Sequence, residues 1–261
     1  MSPVALVTGA ARGIGAATVD ALVGAGWSVL AVDRCRDVDG VGYAMATPAE
    51  LDAVVARHPG RVLGLVGDAR SAQDMGLAVE TAIAQFGSVD AAVASAGVIA
   101  GGAALWETPD DVYDAVLSVN LEGVRRLFNA VVPALLDTPA PRHGRLVAVA
   151  SAASHMGLLH LAAYSAAKHA VVGLVRGLAA DLSTSGVTVN AVCPGSTRTA
   201  MLTASAEIYG LSSPEELAQH QPIGRLLDPA EPAALIGWLC SEAASGITGA
   251  TIAVDGGMTS T

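Results

Sequence analysis

The chain has 261 residues and only three cysteines, Cys35, Cys193 and Cys240. They show no paired spacing and no CxxC. That argues against a disulfide framework or a zinc site, predicts no metal, and fits a reducing cytoplasm. Each reads as a small, partly buried side chain. Basic runs are missing too. Lys and Arg number 14 against 24 Asp and Glu, a net charge of −10. No nucleic-acid partner is expected, because phosphate binding needs clustered cations. No basic-then-apolar leader precedes VALVTGAARG, so no signal peptide is expected. The longest apolar stretch, AAVASAGVIAGGAALW, is short and rich in glycine and reads as a strand and a loop, not a membrane span. No linker, repeat or composition shift divides the chain, which predicts a single domain over residues 1–261.

What the chain does have is apolar, β-branched runs: PVALVT, WSVLAVD, VLGLVGD, VDAAVAS, GRLVAVAS, VTVNAVC and TIAVD. Longer segments of helical spacing lie between them. Alternation of this kind predicts an α/β, doubly wound fold around a parallel, seven-stranded sheet covered on both faces. Two segments break the rhythm. CRDVDGVGYAMATPAEL, residues 35–51, is long for a connection. Residues 200–227 form a second excursion, a plausible lid over a site. A helix start is expected there at Ser213-Pro214-Glu215-Glu216.

The first strand runs into Thr8-Gly9-Ala10-Ala11-Arg12-Gly13-Ile14-Gly15. Gly9, Gly13 and Gly15 let the backbone turn tightly and approach a phosphate, and the helix start behind them supplies free N–H groups and the positive dipole end. A glycine trio is a weak signal alone and a much stronger one directly after the first strand of an α/β chain. The second strand ends at Asp33, 18 residues after Gly15. A carboxylate there can accept both hydroxyls of an adenosine ribose and repel a 2′-phosphate, which favours NAD over NADP. Arg34 and Arg12 pull the other way, since a guanidinium could hold that phosphate. Asp68, at the end of the third strand, is read either as an acceptor for the adenine amino group or as a strand-end cap.

In the second half stand Ser151 and then Tyr164-Ser165-Ala166-Ala167-Lys168. Tyr164 and Lys168 share one helix face. An ammonium near a phenol favours the phenolate, so a lowered Tyr164 pKa suited to general acid/base work is expected. Ser151 ends a strand, where its hydroxyl could hold a carbonyl or alkoxide oxygen.

TGAARGIG, Asp33, Asn120 in SVNLEG, Ser151, YSAAK and Pro194-Gly195 fall in an order and spacing that resembles the short-chain dehydrogenase/reductase family from Pro3 to Gly257. The resemblance implies a Rossmann-type fold and hydride transfer between nicotinamide and an alcohol or ketone. It implies Tyr164 as acid/base, Ser151 as the residue that orients the substrate oxygen, and Lys168 as the modulator of Tyr164 and a ribose ligand. Asn120 would hold a water linking Lys168 to solvent. Ile14, Ala96, Gly97, Pro194, Gly195, Thr197 and Thr199 fall at further cofactor contacts, with Thr199 bonding the carboxamide or diphosphate. One position departs: the family usually has Asn-Ala-Gly after its fourth strand, and here it is Ser95-Ala96-Gly97. A homotetramer is the family's common assembly.

The 35 positions from Asp33 to Asp68 exceed by about ten what most of the family uses for this crossover, a length still ample for a helix. Thr47, Pro48 and Glu50 supply a helix start of their own. The loop before it leaves the sheet right after Asp33, placed to fold over the adenosine side of a cofactor. VDRC, Tyr43 and ATPAEL resemble the mycofactocin-associated, carveol-dehydrogenase-like subgroup. That resemblance implies tightly held NAD reoxidised by mycofactocin, a peptide-derived carrier. The expected substrate is an apolar secondary alcohol or its ketone, with Leu158, Leu159, Met201 and Leu202 in the pocket wall and His155 and His160 as candidate polar contacts. Two other readings stand beside it: a reductase with exchangeable NAD(P)H acting on a sugar, steroid or ketoacyl group, and a non-catalytic NAD-sensing protein.

Overall fold

The computed structural model describes residues 2–260. Seven strands form one parallel sheet: β1 (Val4–Thr8), β2 (Ser28–Asp33), β3 (Val62–Val66), β4 (Ala91–Ala94), β5 (Arg145–Val149), β6 (Thr188–Pro194) and β7 (Thr251–Val254), in the order β3-β2-β1-β4-β5-β6-β7. The strand order reverses between β1 and β4, and a crevice opens beyond the carboxyl ends of the strands at such a switch point.

Successive side chains of a strand face opposite ways, so the sheet supplies two cores. Leu6, Leu30, Ala92 and Leu146 face α3 (Ala72–Phe86), α5 (Gly123–Leu136) and α6 (Ala162–Asp181), where Met75, Phe128 and Val175 complete the packing. Val7, Val29, Val93 and Val147 face α1 (Gly13–Gly24), α2 (Pro48–Ala56) and α8 (Ala230–Leu239), against Leu22, Leu51 and Ile236. Truncating a buried Leu or Phe of this kind to Ala typically costs about 2–5 kcal/mol. Among the described residues no helix is long and apolar enough to cross a membrane.

Both excursions from the sheet are ordered. In the first, Thr47 caps α2 in a capping box: its Oγ1 accepts from Glu50 N–H at 3.3 Å, and the Glu50 carboxylate accepts from Thr47 N–H at 2.7 Å. The loop before it docks on α4 (Asp110–Leu117). Val38 and Met45 pack with Val98, Ala115 and Val119. Gly40, at φ +79°, lies so close to α4 that a Cβ there would meet Asp111 O at 2.9 Å. The second excursion holds α7 (Ala200–Ile208), and Leu202, Ala206, Leu217 and Leu226 form its own small core. The helix start at Ser213 is there, with its capping box, but the element it opens is a seven-residue 3-10 stretch, Pro214–His220. Pro222 restricts the residue before it and stops a longer helix.

Candidate functional site

The switch-point crevice is a cavity of about 590 Å³. Every residue singled out for the cofactor side lines it, as do Ser151, Tyr164 and Lys168.

The glycine-rich turn is shaped by close approach. A Cβ on Gly9, at φ +67°, would come within 2.7 Å of the Ala96 backbone, and one on Gly15 within 2.0 Å of Gly9 O. Neither position accepts a side chain without moving backbone. Arg12 sits at the N-cap of α1 and gives no capping bond, since a guanidinium carries no acceptor. The first turn of α1 therefore keeps N–H groups for an anion, at the positive end of the helix dipole. A phosphate-sized group fits this cradle on both geometry and charge.

Asp33 stands at the end of β2. Its Oδ2 accepts from Ala11 N–H and its Oδ1 from Cys35 N–H, each at 3.1 Å. The carboxylate is fixed in direction and retains lone pairs for a further donor. Of the guanidiniums near it, those of Arg34 and Arg36 line the same cavity, and Arg34 Nη1 has no hydrogen-bond partner. Arg12 Nη2 donates to Ala44 O at 2.8 Å, and Arg34 Nε lies 3.1 Å from Asp68. Asp68 also accepts from Arg70 Nε and Nη2 at 3.0 and 2.8 Å, and from Arg70 N–H. Burial alone would raise the Asp68 pKa, but the bonds from Arg70 and the charge of Arg34 hold it below the ordinary value. Asp68 is thus anchored at this corner, and it also lines the cavity.

At the opposite end, Ser151 follows β5 and caps a short turn, its Oγ accepting from Ala153 N–H at 3.1 Å. Tyr164 lies in the first turn of α6 and is buried, its hydroxyl 4.0 Å from Met201 Sδ. Lys168, the chain's only lysine, is buried with Nζ donating to Val149 O at 2.9 Å and standing 5.6 Å over the centre of the Tyr164 ring. The expected lowering of the Tyr164 pKa does not hold in this state. Burial pushes the phenol up to about 12, with only the Ser151 hydroxyl working against it. The same burial brings Lys168 down to about 8. Desolvation outweighs the attraction because Lys168 bonds a carbonyl and faces the ring rather than the phenol oxygen.

Asn120 is placed differently from its companions. It lies in a π turn, Ser118–Glu122, between α4 and α5, fully buried behind the cavity wall. Its Nδ2 donates to Val98 O and Val116 O, both at 2.9 Å, so both side-chain donors clamp the segment after β4 to the helix. Gly97 leaves room in front of it: a Cβ there would meet Asn120 Oδ1 at 2.9 Å and Lys168 Nζ at 3.7 Å. Thr199 caps α7 through its Oγ1, and the Thr197 hydroxyl donates to Gly195 O at 3.0 Å. Leu158, Leu159, Met201 and Leu202 line the cavity. His155 and His160, the candidate polar contacts, are exposed and lie outside its lining.

Among the lining residues that had no role at the site in the sequence reading, Tyr43 reaches furthest. Tyr43, in the first excursion, extends past the glycine-rich turn to the chemical end. Its hydroxyl accepts from Ile99 N–H at 3.4 Å, and it packs on the cluster that holds Leu161 and Tyr164. The available signal was a lone aromatic in a polar, glycine-rich loop.

The comparisons agree with this geometry. A family model described as enoyl-(acyl carrier protein) reductase matches residues 9–259. The cis-4-hydroxycyclohexanecarboxylate dehydrogenase of Sinomonas cyclohexanicum is 36% identical over 98% of this chain and 96% of its own. The crystal structure of carveol dehydrogenase from Mycobacterium avium in complex with NAD is 27% identical, with a TM-score of 0.92 over 99% of this chain and 98% of that one. That of 3-ketoacyl-(acyl-carrier-protein) reductase from Brucella melitensis complexed with NADH is 28% identical, with a TM-score of 0.86 over 98% of each. From its strand order, its glycine-rich turn and these end-to-end likenesses, the chain belongs to the short-chain dehydrogenase/reductase family.

Proposed function

We propose that this chain is an NAD-dependent dehydrogenase that interconverts an apolar secondary alcohol and its ketone, and that residues 35–51 clasp the cofactor. The observation that carries the reading is the placing of the Asp33 carboxylate, fixed by two backbone N–H groups, with Ser151, Tyr164 and Lys168 in one cavity. NAD bound there would supply the hydride acceptor. Gly9, Gly13 and Gly15 with the start of α1 would hold its diphosphate, Asp33 its adenosine ribose, Lys168 the second ribose, and Ala96, Gly97, Pro194, Gly195, Thr197 and Thr199 the nicotinamide side.

In this reading Ser151 holds the substrate oxygen and Tyr164 moves the proton. A phenol kept neutral by burial is the donor form, suited to protonating a developing alkoxide when the ketone is reduced. Alcohol oxidation needs the phenolate. A substrate oxygen and a ribose-bound Lys168 on its two sides would favour that form. Asn120 is the residue that braces the wall behind them.

The clasp reading rests on three contacts of the first excursion: Ala44 with Arg12, Tyr43 with Ile99, and Val38 with Val98 and Val119. All three must break before the loop can lift, which lengthens residence more than it slows binding. With the likeness to an NAD-bound carveol dehydrogenase, this supports reoxidation of retained NADH by an external carrier, with mycofactocin as the proposed partner. The second reading, an exchangeable-cofactor ketoacyl reductase, draws on the Brucella likeness.

Denaturing freshly purified protein and identifying the released nucleotide separates the two. NAD at about one per chain, with multiple turnover only when an external acceptor is added, is the expected result. Empty protein that turns over repeatedly with free NAD alone would remove the clasp and leave the dehydrogenase.

A further inference from the structure

Three consecutive residues of the first excursion face three different parts of the molecule. Tyr43 lines the cavity at its chemical end and packs with the cluster holding Leu161 and Tyr164, near Leu158, Met201 and Tyr209. Ala44 O holds Arg12 of the glycine-rich turn. Met45 packs beneath Val98, and its N–H donates to Asp37 Oδ1 at 2.9 Å. A backbone fixed at all three points cannot lift from the cofactor without withdrawing an aromatic ring from the chemical end.

We propose that Tyr43 is a specificity-determining wall of the substrate pocket, and that a ring-bearing alcohol or ketone packed against it slows release of the cofactor. The first half needs only the dehydrogenase assignment; the second rests on the clasp reading. Physically, a ligand in contact with Tyr43 is in contact with the closed loop alone. It binds the closed state better than the open one and shifts the equilibrium toward closure by that difference. Linkage makes the effect mutual: closure around the cofactor tightens the substrate site by the same factor. Leu158, Met201 and Tyr209 share the cavity lining and the same apolar cluster with Tyr43, and a six-membered ring buries more apolar surface against such a wall than isopropanol can.

The test uses NAD-loaded protein, as wild type, Tyr43→Phe and Tyr43→Ala. Single-turnover reduction of the bound NAD is followed by near-ultraviolet absorbance with isopropanol, cyclohexanol and carveol. Tyr43→Ala should raise the half-saturating concentration of the two ring alcohols about tenfold or more. The half-saturating concentration of isopropanol should rise by a much smaller factor, because so small a molecule makes less contact with the ring. Tyr43→Phe keeps the ring and should keep the wild-type preference for ring alcohols, which also guards against a general loss of structure in the alanine variant, while loss of the hydroxyl bond to Ile99 should speed basal exchange.

Exchange of bound NAD for labelled NAD is then measured with and without saturating cyclohexanone. Cyclohexanone should slow exchange about fivefold or more in wild type and Tyr43→Phe, and not in Tyr43→Ala. Equal shifts for all three alcohols, or none, would overturn the wall, as would failure of every alcohol to reduce the wild-type cofactor. Exchange indifferent to cyclohexanone would overturn the coupling. Exchange complete within seconds in wild type, with ring selectivity still dependent on Tyr43, would refute the clasp while leaving the wall in place.

Discussion

At the end of the cavity beside the glycine-rich turn the carboxylates already have partners: Asp33 is held by two backbone N–H groups, and Asp68 is held between Arg34 and Arg70. At the chemical end Tyr164 and Lys168 are buried with little compensation, and the pKa of each is displaced in the direction burial dictates. The first end is built for fixed geometry. The second is built from groups whose protonation a bound molecule can change. Recognition and chemistry are thus separated along one crevice, and substitutions should affect the two ends in different observables.

The largest effect is expected from Tyr164→Phe. Losing the transferable proton should lower turnover by about 10²–10⁴-fold while the protein still retains nucleotide, as nucleotide analysis of the denatured variant would show. Loss of both together would erase the division between the ends.

Asp33→Ala acts at the opposite end. It should narrow the preference for NAD over NADP by about tenfold, by removing a repulsion as well as a bond. Competition binding of the two nucleotides measures this, and unmodified protein that prefers NADP would contradict the assignment.

Lys168→Met sharpens the chemical end through pH. The Lys168 pKa falls from 10.5 unfolded to about 8 folded. Between those values the unfolded chain binds the extra proton, so wild-type stability should rise with pH relative to the Met variant from about 8 to 10.5. A constant difference in denaturation midpoint across that window would mean that burial does not depress this lysine.

Thr47→Ala is the mildest. Removing the cap beneath the clasp should reduce stability by about 1 kcal/mol, read from denaturant midpoints, with turnover rate unchanged.

Much of the sheet was legible because each strand is a short apolar run, those of the centre buried on both faces, and the glycine trio could be read because its spacing is dictated by steric approach. Thr47 and Ser213 were visible as caps for the same local reason. What was hidden depends on distance in the chain. The Asp68 partnership with Arg34, the clamp of Asn120 on Val98, and the reach of Tyr43 to Ile99 join segments that no local pattern connects. The Tyr164 pKa was misread for a related reason: spacing places a lysine on the same face but says nothing of where its ammonium points or how dry the cavity is.

Lys168 has one more consequence. The other 13 of the 14 Lys and Arg residues are arginines, so the only side-chain amine of the molecule sits inside its active cavity. An acylating reagent meets no lysine on the surface. Above about pH 8, where this amine sheds its proton, its modification becomes a direct gauge of whether the crevice is filled. Mass spectrometry of the peptide that holds Lys168, which separates it from the reactive α-amine, would then count occupied sites without any knowledge of the substrate.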